Sequence, residues 1–568
     1  MICLGISGFS HDSAVALVKD GEVLFALEHE RLTRVKGQRV FPTSSVNYSL
    51  KYCNIDKSDI DEIIYYWDDV GGLWEGIFSE MKNCFRPNIA TSHRILRRCM
   101  AARSNDKVTR VITRLWQGYP APVIRFIDHH LSHAQYAAKT SGYDEAVVFV
   151  VDGRGESSSL SVYLYQHGSF IKLNRSHMPD SLNYLYGAVT QHLGFKPIFD
   201  EHRVMGLAPF GQHDPILDEY FRRRVKVNRG RLKLDTRFFN FHNGESTDSP
   251  WLSDKSLQYL GMARRHNDPL EPKHKNIAYA LQDCYEKSLK SIIDHFRSYF
   301  PQLPVILTGG GAMNSVFNGK LLVSGSCKSI YIPVAPGNQG SAIGAALSPF
   351  IHRQCQRNLE QNRSARLGPA FTTTGIIPRL TARGYSWHKP HHLGQAVAML
   401  LERGQIGGVF DGRMEFGPRA LGARSIIASP RYIDVRDKIN SSLKLRELFR
   451  PFAGSILQEY LADWTTVEKN DSYPYMNMVF TLREDKVGQI PAICHIDGSC
   501  RLQTVTAKDG LFHDLILSFY RLTGIPIILN TSFNKYQEPI VMSPQDALYC
   551  FEKSNLDFLV INDLLVTR

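Results

Sequence analysis

One pattern, stated twice, constrains the fold more than any other feature of this chain. "ICLGIS" is a short apolar strand, the polar loop "GFSHDSA" follows it, and "AVALVKDGEVLFAL" then alternates around Asp20-Gly21. That dipeptide is a two-residue hairpin turn signal. The same order returns at Ala146 in "AVVFVVDGRGESSSLSVYLYQHGSFIKL", which turns near His167-Gly168. A repeated strand–loop–hairpin followed by helical segments predicts a duplicated α/β unit whose copies face across a cleft. A third element, "PVILTGGGAMNSVFNGKLL", reads as a strand ending at Thr308, three glycines, and an amphipathic helix from about Asn314. Gly309, Gly310 and Gly311 leave room for a phosphate or nucleotide to approach a helix N-terminus.

Near residue 353 the character changes. "RQCQRNLEQNRSARLGPAF" is polar and lacks a sustained apolar face, so residues 353–366 read as a connector between a first domain, 1–352, and a second, 367–568. The second domain reads as α/β again: a helix over His392–Arg403, the strand "IGGVFDG", and the strand-and-loop segments "GIPIILNTSFN" and "LDFLVINDLLVTR". A chain of 568 residues gives each domain a sizeable core. Apolar runs fall short of the roughly 18 residues a membrane span needs. "MICLGISGFSHDSAVAL" lacks a basic segment ahead of an apolar one, and ten cysteines occur without a CxxC pair. The expectation is a reduced, cytoplasmic location with no membrane partner, and neither a zinc ribbon nor a disulfide scaffold.

The formal charge of +12 favours partners that carry phosphate. Two stretches hold much of it, "FRRRVKVNRGRLKL" and residues 85–114. Neither interleaves aromatics for base stacking, so a solvated basic face competes with nucleic-acid binding.

Two constellations carry chemistry. "FIDHHLSHAQYAA" packs three histidines and an aspartate into Asp128 to His133. On a helix, His129 and His133 stand at i and i+4, the spacing of two metal-bound imidazoles, with His130 about 100° away. Asp152, at the end of "AVVFVVD", is the candidate third ligand. Polar residues at a helix start are the competing reading. In the second domain, "EFGPRALGARSIIASPR" supplies Arg419 and Arg424, "SSLKLRELFRPFA" supplies Lys444, Arg446 and Arg450, "CRLQTV" Arg501, and "LNTSFN" Asn530, Thr531 and Ser532. Arginine forks among Gly, Pro and aromatic residues suit phosphate oxygens, with surface charge as the competing reading.

In order along the chain, "HDSAVALVKDGEV", "HHLSHA", "VDGRGE", "MGLAPFG", "LTGGGAMNSVFNGKL", "FGPRALGARSI", "RPFAGSI", "LQTV" and "LNTSFN" resemble the NodU/CmcH family of O-carbamoyltransferases. The resemblance implies an α/β chain with an N-terminal ASKHA-type (actin-like, duplicated) domain and a YrdC-like α/β domain. It implies that carbamoyl phosphate and ATP, with Mg2+, give carbamoyl-adenylate in the second domain, and that the carbamoyl group passes to an alcohol in the first. The acceptor is a hydroxyl-bearing small molecule; the family modifies antibiotics, sugars and lipo-oligosaccharides. By the resemblance, His129, His133 and Asp152 hold a divalent metal, Fe2+ or Zn2+, and His11 belongs to the transfer site, where His11 or His130 is the general base. Arg419, Arg424, Lys444, Arg450, Arg501, Asn530 and Ser532 fall on the carbamoyl-adenylate pocket. Asp12, Arg203, Gly309–Gly311 and Asn314 fall on a phosphate or nucleotide loop of the first domain.

Two positions depart from the family pattern. Asn338 stands where a metal-binding aspartate is usual; its amide oxygen can coordinate but brings no charge. Arg203 stands where lysine is more usual and keeps the charge. Residues 68–118, between family motifs, read as an acceptor-recognising insertion. The alternative function is tRNA modification of the threonylcarbamoyladenosine type, although nucleic acid is not the expected partner. Homodimerisation stays open.

Overall fold

The computed structural model describes residues 1–69, 104–241, 249–352, 359–447 and 449–568. Most of the basic stretch 85–114 and of the expected insertion 68–118, and the start of the connector, lie outside them. The chain divides into two compact units. The first takes residues 1–24, 39–314 and 324–363, and the second takes 25–38, 315–323 and 364–568. The sequence reading drew one boundary near 353. The second unit also takes two pieces from before that boundary, and one of them is the helix Ser315–Val323 that follows the glycine triplet.

The duplication is real in the first unit. One sheet has the order β3-β2-β1-β4-β5, with β1 Ile2–Ser7, β2 Ala14–Lys19, β3 Glu22–Glu28, β4 Glu62–Tyr65 and β5 Val123–Phe126. The other has the order β12-β11-β6-β7-β8, with β6 Glu145–Val151, β7 Ser158–Gln166, β8 Ser169–His177, β11 Val305–Thr308 and β12 Ile330–Tyr331. Each copy is an antiparallel meander extended by two parallel strands. Both hairpin turns have the predicted geometry: Asp20 and Gly21 have φ of 51° and 86°, and His167 and Gly168 have 45° and 88°. Two successive positive φ values match the right-handed twist of the flanking strands. β9 Val225–Asn228 and β10 Arg231–Leu234 form a separate hairpin.

Helix His129–Ser141 packs on β6 and β11, helix Asn338–Leu347 packs on β1 and β2, and the two helices pack on each other. Glycines set how close these layers come. A Cβ on Gly5 would lie 1.9 Å from the Ala342 carbonyl oxygen, and one on Gly344 would lie 1.9 Å from that of Ser132. Any side chain there would hold the backbones apart. The expected connector is partly built structure. Leu359–Arg363 is helical, and buried Asn362 accepts from the Val23 N–H at 2.9 Å and donates to the Gly21 carbonyl at 3.0 Å.

The second unit is built on a nine-stranded mixed sheet of order β13-β21-β20-β14-β15-β19-β16-β18-β17. Its central strands are β14 Gly407–Phe410, β15 Arg424–Ala428, β19 Ile527–Ser532, β16 Ala453–Leu457 and β18 Ser499–Val505; β13 Ser386–His388, β17 Met478–Thr481, β20 Phe558–Ile561 and β21 Leu564–Thr567 complete it. The helix expected over His392–Arg403 runs Leu393–Glu402. Among the described residues, no helix is long and apolar enough to cross a membrane.

Candidate active site and metal centre

Asp128 begins the histidine helix. Its carboxylate accepts from the Leu131 N–H at 2.8 Å, capping the first turn, and accepts from Arg175 at 2.9 Å. The Glu156 carboxylate, a residue that sequence reasoning passed over within "GRGE", accepts from the His129 N–H at 2.8 Å. The helix start is thus fixed by two carboxylates, and burial raises the Glu156 carboxyl to about 7.

On that helix the i, i+4 expectation holds. His129, His133 and Asp152 are all buried, and one donor atom from each lies within 4.8 Å of the other two. His129 Nε2 is 2.8 Å from Asp152 Oδ2 and 3.3 Å from His133 Nε2. The Asp152 carboxyl is displaced below the usual range, the histidines overcoming the opposing effect of burial. Burial, reinforced by His129, depresses His133 to about 3, so it is a neutral imidazole. Two imidazole nitrogens that converge on one buried carboxylate oxygen are a donor set suited to a borderline divalent ion. The other Asp152 oxygen, Oδ1, accepts from the Gly310 N–H at 3.1 Å. A Cβ on Gly309 would sit 2.4 Å from the Val151 carbonyl oxygen, and one on Gly311 would sit 2.7 Å from the Tyr285 hydroxyl. Here the glycine triplet lets a loop close over the end of β6 and orient a ligand carboxylate. Asn314 exchanges two hydrogen bonds with Gln282, each 3.1 Å.

Asn338 reaches this centre through a relay. Its Nδ2 is 3.4 Å from Ser10 Oγ, which accepts from the Tyr66 hydroxyl at 2.7 Å, and the Tyr66 ring packs edge-on against His129. Its Oδ1 is buried without a donor. Arg203 is paired with Asp200 at 3.1 Å.

The two candidate bases separate clearly. His130 is fully buried and bonded through Nδ1 to Ser161 at 2.8 Å; burial, with His129 adding to it, depresses it to about 3. His11 is 32% exposed, and its Nδ1 meets Asp12 Oδ2 at 2.9 Å. Burial opposes its protonation, but Asp12 and then Asp152 prevail and raise its pKa. Asp12 sits at φ 64°, a conformation uncommon for a non-glycine residue, which turns its carboxylate back onto its neighbour.

In the second unit, strand register assembles the cationic cluster. Arg501 on β18 is opposite Ala453 on β16, which is opposite Asn530 on β19; Ser532 ends β19. Burial pushes Arg501 well below its ordinary range, and the like charges of Arg419, Arg446 and Arg450 add to this; its Nε is buried without a partner. Arg419 is lowered to about 10 by burial and then by Arg450. Lys444 Nζ donates to the Ser532 carbonyl at 2.6 Å and lies 2.6 Å from Asn534 Oδ1. Arg450 has Glu447 at 3.9 Å. Asn530 Nδ2 donates to Ser455 and Gln503, and its Oδ1 is buried without a donor.

Arg424 meets the backbone of its own unit. It is fully buried, it lies 3.6 Å over the Phe410 ring, and its guanidinium donates to the carbonyls of Asp411, Gly412 and Ala423. These bonds brace the loop that carries Arg419. Glu415, not foreseen, accepts from the N–H groups of Leu421, Ala423 and Arg424 at 2.7–3.0 Å and folds that loop around itself. Segment 25–38 ties down the same loop. Glu28 accepts from the Gly417 N–H at 2.8 Å, and Arg31 donates to the Gly417 carbonyl at 3.0 Å. Nothing in the local sequence signals a partner nearly 400 residues away; tertiary packing makes this contact.

Residues 2–347 match the family model "Carbamoyltransferase N-terminus", and residues 398–568 match "Carbamoyltransferase C-terminus". The chain belongs to the NodU/CmcH-type carbamoyltransferase family. It is 34% identical to an uncharacterized protein of Synechocystis sp. over 610 residues, covering 100% of this chain and 96% of that relative. It is 32% identical to the nodulation protein NolNO of Sinorhizobium fredii over 600 residues, covering 100% of this chain and 83% of the relative. Among solved structures, the ROK hexokinase from Thermus thermophilus is a weak match: TM-score 0.27 and 12% identity, over 61% of this chain and 97% of that one. The protein is therefore a carbamoyltransferase with a His129–His133–Asp152 cluster able to coordinate a metal ion.

Proposed function

We propose that this carbamoyltransferase makes carbamoyl-adenylate from carbamoyl phosphate and ATP in its second unit, as a YrdC-like domain would. The first unit, as an ASKHA-type domain, then uses it to carbamoylate a hydroxyl of a small molecule, a natural product or sugar. The observation that carries the reading is the cationic cluster: Arg419, Lys444, Arg450 and Arg501 converge, burial and mutual repulsion depress three of them, and Arg501 Nε has no partner. Such a cluster is destabilising until an anion enters, which is what a phosphate site requires.

The chemistry balances in three steps. Water releases phosphate from carbamoyl phosphate and leaves carbamate; a carbamate oxygen displaces pyrophosphate at the α-phosphorus of Mg2+-bound ATP; the alcohol oxygen attacks the carbamoyl carbon and AMP departs. Arg419 and Arg501 would hold the phosphate oxygens, and the orphaned Asn530 Oδ1 would accept from an N–H of the carbamoyl or adenine group. In the transfer step His11, held through Nδ1 by Asp12, takes the alcohol proton on Nε2. His130, buried and depressed, is left to brace the helix through Ser161. His129, His133, Asp152 and the Asn338 amide oxygen would hold Fe2+ or Zn2+, which when bound supplies a Lewis acid for the carbamoyl oxygen or the adenylate phosphate. The glycine loop and Asp12 would lie alongside the nucleotide.

The test is AMP and pyrophosphate release from ATP. Without acceptor, pyrophosphate release should require carbamoyl phosphate. Pyrophosphate release that ignores carbamoyl phosphate, or carbamoylation without AMP, would sink the adenylate route.

A further inference from the structure

The basic stretch after residue 220 folds into a cavity apart from both constellations above. Helix Pro215–Arg224, the β9–β10 hairpin, the turn Thr236–Phe238 and helix Asp254–Leu260 contribute to a cavity of about 390 Å³. None of these elements carries a residue of the metal cluster or of the cationic cluster. Five cations line it, Arg223, Arg224, Lys226, Arg237 and Lys255, against one carboxylate, Asp235. That carboxylate is already held by Arg237 at 2.7 and 2.8 Å, and Glu219 outside the lining holds Arg223. Arg224, Lys226 and Lys255 remain to face the cavity.

Arg224 makes this a built site. It is 8% exposed, and its guanidinium lies over Phe238, Tyr259 and Tyr220, with centroids at 4.2, 4.8 and 5.3 Å. The rings stabilise its charge but can take only its faces. Its Nε is buried without a hydrogen-bond partner. Its carbonyl accepts from the Asp235 N–H at 2.9 Å, which fixes it at the base of the hairpin. A pinned guanidinium with an unspent edge, flanked by two exposed ammonium groups, suits a doubly charged tetrahedral oxyanion better than a flat carboxylate. The volume lies within the range of small-ligand pockets and exceeds what one phosphate fills, and Phe238 offers an apolar wall.

We infer that this cavity binds the phosphate of a small organic phosphate, with the organic part lying against Phe238. The ligand is a phosphorylated sugar or a nucleotide, and it serves as acceptor or effector. The inference does not rest on the adenylate route.

Hydrogen exchange read by mass spectrometry on the full chain tests it, using glucose 1-phosphate, ADP, inorganic phosphate and a single-stranded oligonucleotide at one ionic strength. The expected result is slowed exchange in peptides covering 221–238 with at least one organic phosphate. The organic compound should act at lower concentration than inorganic phosphate. The exposed double variant Lys226→Ala/Lys255→Ala should fold normally and weaken this protection about tenfold, roughly what losing charge-assisted contacts costs. Arg224→Lys, which keeps the charge but loses the planar fork, should weaken it further. The inference falls if this segment gains no protection at ~10 mM ligand. It also falls if the double variant responds like the wild type, if inorganic phosphate is equally potent, or if only the oligonucleotide protects.

Discussion

Gly344→Ala tests how the His129–His133–Asp152 cluster is positioned. The added Cβ would lie 1.9 Å from the Ser132 carbonyl oxygen and 2.8 Å from its carbon, with Tyr136 Cβ at 3.2 Å. Both near atoms are backbone, so no rotamer relieves the clash. A tolerable C···O contact is about 3.3 Å, so helix His129–Ser141 and helix Asn338–Leu347 must separate locally by ~1.4 Å. Gaps of this size forfeit much of the dispersion energy across an interface. Overpacking typically costs 1–3 kcal/mol, and an unyielding backbone puts this case at about 3 kcal/mol. For a unit of this size that is a fall in Tm of ~4 °C. Ser132 lies between His129 and His133, so the same displacement moves both imidazoles, whereas metal sites tolerate only ~0.2 Å. Calorimetry and metal analysis on one preparation are the assay. Metal content should drop while pyrophosphate release in the second unit stays near wild type. Gly375→Ala, where an added Cβ meets nothing within 4 Å, is the control and should be near neutral. Wild-type Tm and metal content in Gly344→Ala would refute the reasoning, because the close approach would then position nothing.

Other outcomes follow from single residues. Arg419→Ala should leave stability within ~1 kcal/mol of wild type yet reduce pyrophosphate release by the equivalent of 2–5 kcal/mol, whereas Arg424→Met should unfold the protein more readily, because four buried contacts to carbonyls and a ring are lost. His133→Ala should lose metal and transfer but keep adenylate formation; Asn338→Asp should raise metal occupancy and make the Tm gain on adding metal larger than in the wild type, since a buried carboxylate is stable only when its charge is met. Glu201, raised to about 7 chiefly by burial, keeps its proton in the folded state up to near neutrality, so its contribution is full below about pH 4.5 and is lost as pH rises through 7. Glu201→Gln retains the acceptor for the Ile198 N–H and should therefore flatten the fall of Tm between pH 5 and 8; an unchanged slope assigns that fall to other groups.

The sequence by itself determined what is encoded at short range or by repetition. Two hairpins with Asp-Gly and His-Gly turns, met 147 residues apart, were enough for the duplication, because turn chemistry and period-two alternation are local properties. The i, i+4 histidines were legible because a helix places such residues on one face wherever it occurs. The aspartate that meets them closes "AVVFVVD", where the strand end brings it beside His129. The tertiary structure alone decided the rest. Arg419 and Arg424 read alike in "GPRALGAR", yet one faces a cluster of like charges and the other is consumed by carbonyls, because side-chain environment depends on partners from β14 and from the segment before it. His11 and His130 read alike as candidate bases, and burial and an aspartate at 2.9 Å give them different surroundings. The placement of residues 25–38 in the second unit, and the glycine contacts that set the helix spacing, join positions hundreds of residues apart. Such contacts leave no local periodicity, since they arise only when the packed chain fixes which surfaces meet.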